Sequence, residues 1–226
     1  GTALSFIIAA GLVISTTLPE YIAYVKEQPF LLLATSGVRH YFEKPSLRGL
    51  MAVNLAVAAA GAMVIVNTVV YVQHQFGLSE QQTALALAAF GGGSMVAAFI
   101  LPSVLKKIPA RTAMIAAIAV LFASLVATGF VKSYTALRIL WVVIGFNYAV
   151  AQIPSGILLK RASNKQNRSS FFTAQFALSH FCWLFTYPIA GWIGSAYGLP
   201  IAANILAAIA FIGFITAMLV WPSENS

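Results

Sequence analysis

Residues 49–72 read GLMAVNLAVAAAGAMVIVNTVVYV. No charge interrupts this run, and it is long enough for a helix rising about 1.5 Å per residue to cross about 30 Å of hydrocarbon. Ala, Val and Leu follow one another without the alternation of a barrel strand, so the run reads as a helix. Arg48 stands directly before it. The next Lys or Arg is Lys106, past a second apolar run at 81–103.

Working outward, that rhythm holds along the chain. Positive charge collects in every second gap between apolar runs. The gap at 19–48 holds Lys26, Arg39, Lys44 and Arg48; the gap at 104–111 holds Lys106, Lys107 and Arg111; the gap at 159–168 holds Lys160, Arg161, Lys165 and Arg168. Of the 13 Lys and Arg residues, only Lys132 and Arg138 lie elsewhere. Short cytoplasmic loops of membrane proteins are enriched in Lys and Arg, so the alternation predicts both crossings and direction, with the C-terminus after Trp221 inside. Spans are expected at about 2–18, 49–72, 81–103, 111–130, 134–158, 170–195 and 199–221. Gly77-Leu78-Ser79, Val131-Lys132-Ser133 and Gly198-Leu199-Pro200 are expected as tight turns on the opposite side.

Composition agrees with this reading. The chain is 60% hydrophobic and 8% charged, against roughly 25% charged in a soluble domain. Its mean hydropathy is +0.88. The solvent for so much apolar surface is the lipid bilayer. A net charge of +8 scattered over alternate loops lacks the single basic face that nucleic acid requires. The lone Cys182 excludes an internal disulfide framework and reads as a packing residue rather than a metal ligand. The expected fold is an all-α polytopic membrane helix bundle of about seven transmembrane helices. Its last six divide into two triplets of opposite topology, an inverted three-plus-three repeat.

The longest gap, 19–48, contains Leu31, Ala34, Val38, Tyr41 and Phe42 at helical spacing, with Arg39, His40 and Glu43 on the other side. This suits a helix lying in the membrane interface; a solvated linker is the competing reading.

Polar residues within the apolar runs are few. Gln175, Ser179, Cys182 and Thr186 are spaced by four, three and four, which stacks them on one helix face beside His180. Such a face lines either a water-filled pathway or an interhelical hydrogen-bonding seam. Asn54 and Asn67 fall in the second span; Arg138, Asn147, Gln152 and Pro154 fall in the fifth, where Pro154 predicts a bend near the inner end. Phe90-Gly91-Gly92-Gly93-Ser94 reads as a site of close helix packing or of flexing. The fourth and seventh spans carry only scattered Ser124, Thr128, Asn204 and Thr216 and are expected to face lipid. All five acids, Glu20, Glu27, Glu43, Glu80 and Glu224, lie in loops or at segment ends. No acid pair, nucleophile motif, metal cluster or pair of membrane histidines is present, so neither enzymatic chemistry nor a cofactor or bound metal is expected.

Gly37-Val38-Arg39-His40-Tyr41-Phe42, followed by Pro45-Ser46-Leu47-Arg48, resembles the loop before the seventh helix of major facilitator superfamily permeases. Leu105-Lys106-Lys107-Ile108-Pro109-Ala110-Arg111 resembles a second copy of that superfamily's basic loop motif, with Lys106-Lys107 where Asp-Arg is usual. Gln175 to Gly194, with Thr186-Tyr187-Pro188-Ile189-Ala190-Gly191-Trp192, is similar to the eleventh helix of a bacterial efflux branch that includes nickel-resistance permeases. The resemblance implies the following organisation. Residues 1–18 form the sixth helix, 19–48 the cytoplasmic central loop, 49–221 the C-terminal six-helix half and 222–226 a cytoplasmic tail, in a bacterial inner membrane. It also implies a cavity walled by the second, third, fifth and sixth spans.

The function expected is secondary transport by alternating access, reading as export of a small solute, a drug-like compound or a metal ion. Asn54, Asn147, Gln152, Gln175, Ser179 and His180 are the candidate pathway residues, and Lys106, Lys107 and Arg111 a cytoplasmic loop motif. An N-terminal half is the expected partner and the place for any driving carboxylate. The alternative is a non-transporting packing module that needs such a half.

Overall fold

The computed structural model describes residues 10–12, 15, 30–164 and 167–222. Most of the span expected at 2–18, the first part of the 19–48 gap, Lys165 and the end of the tail lie outside them. The described elements are helical: α1 Phe30–Glu43, α2 Pro45–Val69, α3 Glu80–Val104, α4 Ala110–Thr128, α5 Tyr134–Gln152, α6 Ser155–Ala162, α7 Arg168–Pro188 and α8 Leu199–Val220. Two helices widen at their ends. α2 passes into a wide turn at Val70–Gln75, closed by Phe76 N–H donating to the Tyr71 carbonyl at 3.0 Å. α7 passes Pro188 into a wide turn at Ile189–Ile193 and ends in Gly194–Tyr197. Such i→i+5 turns relieve the register of a long helix and often mark functional positions.

Among the described residues, five helices are long and apolar enough to cross a membrane: Pro45–Gln75, Glu80–Val104, Ala110–Thr128, Tyr134–Ala162 and Leu199–Val220. The stretch Arg168–Tyr197 is long but not among the five, because Ser, Gln, His and Thr dilute it. The turns form where expected. Gly77 and Gly198 adopt φ of +64° and +90°, backbone that a side chain strains. α5 stops at Gln152 and α6 restarts at Ser155, because Pro154 has no N–H to continue the ladder.

α2 is the central helix: 78% of its most apolar window is buried, against 22–39% in the other four. It contacts every other long helix, α8 most extensively. α3 packs on α5 as α7 packs on α2, α4 packs on α5 as α8 packs on α2, and α4 meets α8 across the bundle. These are the pairings a three-plus-three repeat produces. The α3–α5 crossing is a backbone contact. A Cβ on Gly93 would collide with the Val142 carbonyl oxygen, and one on Gly145 with the Phe90 carbonyl oxygen. Ser94 Oγ completes the crossing by donating to the Gly145 carbonyl at 2.9 Å. Close packing is therefore the role of Gly93; Gly91 and Gly92 meet nothing within 4 Å.

Polar groups in the bundle centre pin helices together. Trp141 Nε1 donates to Thr68 Oγ1 at 2.8 Å, and the Tyr71 hydroxyl to the Thr128 carbonyl at 2.9 Å. Ser124 and Thr128 lie on the buried side of α4, and the Thr128 carbonyl is the acceptor of that Tyr71 bond. α1 packs on α7 rather than standing apart from the bundle: Tyr41 is fully buried, and its hydroxyl donates to Gln175 Oε1. Burial pushes the Tyr41 phenol well above its ordinary pKa, so it stays protonated as the donor.

Candidate functional site

The bundle has a basic end. Lys106 and Lys107 share a pocket with Arg161, Lys160 shares a cavity with Arg168, and Arg48 lies close to the C-terminal turn of α8. Arg111 Nε donates to the Trp221 carbonyl at 2.9 Å, tying the start of α4 to the end of α8. Trp221 is itself seated on Gly49, where a Cβ would lie 2.5 Å from the indole ring. The cations of three separate gaps thus meet at one end of the molecule.

At that end a cavity of about 680 Å³ opens between α5, α6 and α7. α7 supplies Phe172, Gln175, Phe176 and Ser179 at helical spacing, and α5 supplies Gln152 from its last turn. Lys160 and Arg168 stand at its mouth, and Ser155, Ser169 and Thr173 add hydroxyls. Among the described residues no carboxylate lines it. Gln175 is held by the Tyr41 hydroxyl, and Ser179 Oγ donates to the Phe176 carbonyl at 2.9 Å. Amides and hydroxyls over two aromatic rings can orient a solute that is part apolar and part hydrogen-bonding, with cations at the entrance favouring negative or electron-rich groups.

The candidate pathway residues divide. Gln152, Gln175 and Ser179 come together in this cavity. His180 lies outside its lining, exposed, its ring stacked on Phe176 at 3.9 Å between centroids and its Nδ1 2.8 Å from the Phe176 carbonyl oxygen. Asn147 is partly exposed, and its Nδ2 donates to the Val143 carbonyl at 2.9 Å. Asn54 is 2% exposed inside the bundle, with neither side-chain polar atom partnered among the described residues. The stacked face of α7 also divides. Its inner residues meet the cavity, while Cys182 and Thr186 border an apolar groove of about 510 Å³ between α7 and α8 that offers a solute little to orient it.

Arg168, Ser169 and Thr173 were missed as lining residues because the basic gap and the span were read as separate segments. The signal was present. Arg168, Phe172, Gln175 and Ser179 are spaced by four, three and four, so the face begins two turns before Gln175, in the basic gap.

A search of curated proteins finds no match to the chain. The family model described as Major Facilitator Superfamily matches residues 50–226, beginning within the first turns of α2. With a helix bundle of membrane-spanning length arranged as a three-plus-three repeat, this multi-pass membrane protein belongs to the major facilitator superfamily of transporters.

Proposed function

We propose that the chain is the C-terminal half of a secondary transporter that exports a small, partly apolar solute by alternating access. The observation that carries this reading is the cavity at the basic end, where Gln152, Gln175 and Ser179 converge over Phe172 and Phe176. The basic end is taken as cytoplasmic, in a bacterial inner membrane, because short cytoplasmic loops carry the excess of Lys and Arg. A cavity open there loads from the cytoplasm, which fits export; the resemblance of Gln175 to Gly194 to an efflux branch supports the same direction. Between the two solute classes, the lining favours a drug-like compound over a metal ion. Two amides and several hydroxyls without a carboxylate make a poor cation site.

Alternating access needs an opposite wall, which a second six-helix half would provide. That half is also the proposed source of the coupling carboxylate, since Glu43 and Glu80, the acids among the described residues, stand at or near helix ends away from the cavity. The test is efflux by the full-length protein in inverted vesicles, comparing wild type with Gln175→Ala and Ser179→Ala. A roughly five- to thirtyfold rise in the solute concentration needed for half-maximal efflux is expected, on the order of 1–2 kcal/mol for each lost hydrogen bond. Unchanged efflux in both variants would remove this cavity from the pathway. Co-expression of residues 1–226 with an N-terminal half, scored by restored efflux, separates a transporter half from a packing module.

A further inference from the structure

The second cavity at the basic end has a different chemistry. It encloses about 360 Å³ between the α3–α4 turn and α6. Lys106 and Lys107 enter from the turn, and Arg161 enters from the last turn of α6. Among the described residues no acid lines it and none of the three cations forms an ion pair. Arg111, the fourth cation of the region, turns away to the Trp221 carbonyl. The pocket therefore gathers three positive charges, unpaired among the described residues, from two elements far apart in sequence. α4 begins beside it at Ala110, with no side-chain cap and no acid in its first turn, so the helix dipole adds to the same sign.

We infer that this pocket binds the phosphate headgroup of an anionic phospholipid. Phosphate is the anion that three converging cations match, and basic pockets between membrane helices on the inner side hold such headgroups. Two features favour a lipid over a free phosphate. Ile108 and Ile157, 42% and 43% exposed, stand beside the cations and give a glycerol backbone and acyl chains an apolar wall. The pocket also lies at the end of α3, where a helix of membrane-spanning length stops and a lipid headgroup would stand. The inference rests on the bundle lying in a bilayer and not on the proposed solute or direction, so it survives the failure of either.

The test is native mass spectrometry of the full-length protein released from nanodiscs of phosphatidylcholine with a minority of phosphatidylglycerol. Wild type should retain phosphatidylglycerol in preference to phosphatidylcholine. Each cation near an anionic surface contributes a factor of about five, so Arg161→Gln should lower retention about fivefold. The triple change Lys106→Gln, Lys107→Gln, Arg161→Gln should lower it on the order of a hundredfold. Arg161→Lys should keep most of it, and Lys132→Gln, at the opposite end, should leave it unaltered. Equal retention of the two lipids by wild type, or no loss in Arg161→Gln, would overturn the site. Displacement of the lipid by millimolar inorganic phosphate or glycerol phosphate would overturn the lipid as its occupant.

Discussion

Asn54 carries a buried primary amide whose two polar atoms have no partner among the described residues, in the helix that every other long helix touches. A buried polar group left unpaired costs about 1–3 kcal/mol, and replacing it by an apolar group of similar shape recovers much of that. Asn54→Leu is therefore expected to raise the thermal unfolding temperature in detergent. If Asn54 meets solute or water in another state of the cycle, the same change lowers efflux; a stabilised variant with full efflux would make Asn54 purely structural. Thr68 shows the opposite case. Its hydroxyl accepts from Trp141 Nε1 and donates to the Val64 carbonyl, and both side chains are fully buried. Thr68→Val keeps the shape but orphans the indole N–H, so a loss of about 1–3 kcal/mol is expected by thermal unfolding. The chain order of these polar residues was plain in the sequence. Which of them faced a cavity was not, because Asn54, Asn147 and Gln175 are equally polar in a list and differ only in which neighbour each one meets.

Helices in this protein are set by hydrophobic length, breakers and glycines, and most of that was legible. The boundaries at Gly77, Pro109, Pro154 and Gly198 follow from backbone chemistry that needs no partner. The glycine run in α3 was only half legible. Of its three glycines, Gly93 alone meets another backbone, a distinction made by where α5 lies. Gly145→Ala is expected to force α3 and α5 apart and cost on the order of 1–3 kcal/mol, while Gly91→Ala and Gly92→Ala, with open space around them, should cost nothing or stabilise slightly. Thermal unfolding of the three variants in parallel checks this; equal losses would show that the crossing is not backbone-limited. The wide turns were not legible. Each adds about one residue to a turn, shifting the phase of the helix by about 100°. The face read through Thr186 therefore does not continue past Ile189, and Asn67 Nδ2 donates to the Ala190 carbonyl at 3.2 Å in the widened stretch.

At the scale of the whole molecule, cations that are scattered in sequence gather at one end. A cysteine placed at Lys107 and another at Lys132, each in a Cys182→Ala background, test which side that end faces. In intact cells a membrane-impermeant thiol reagent should label the Lys132→Cys protein and spare the Lys107→Cys protein; the reverse pattern would invert the proposed orientation. The gathered charge also makes the bundle an electrical object. With a membrane potential of 100 mV, negative inside, carrying one elementary charge across costs about 2.3 kcal/mol. In the proposed orientation the cations at Lys106, Lys107, Arg111, Lys160, Arg161 and Arg168 would sit outside the voltage drop at its favourable end, and the described acids, Glu43 and Glu80, stand near helix ends. Apart from Arg138, near the start of α5, a rocking bundle built this way would move little of its own charge through the field. Any current recorded during turnover would then report the cargo and its coupling ion, not the protein.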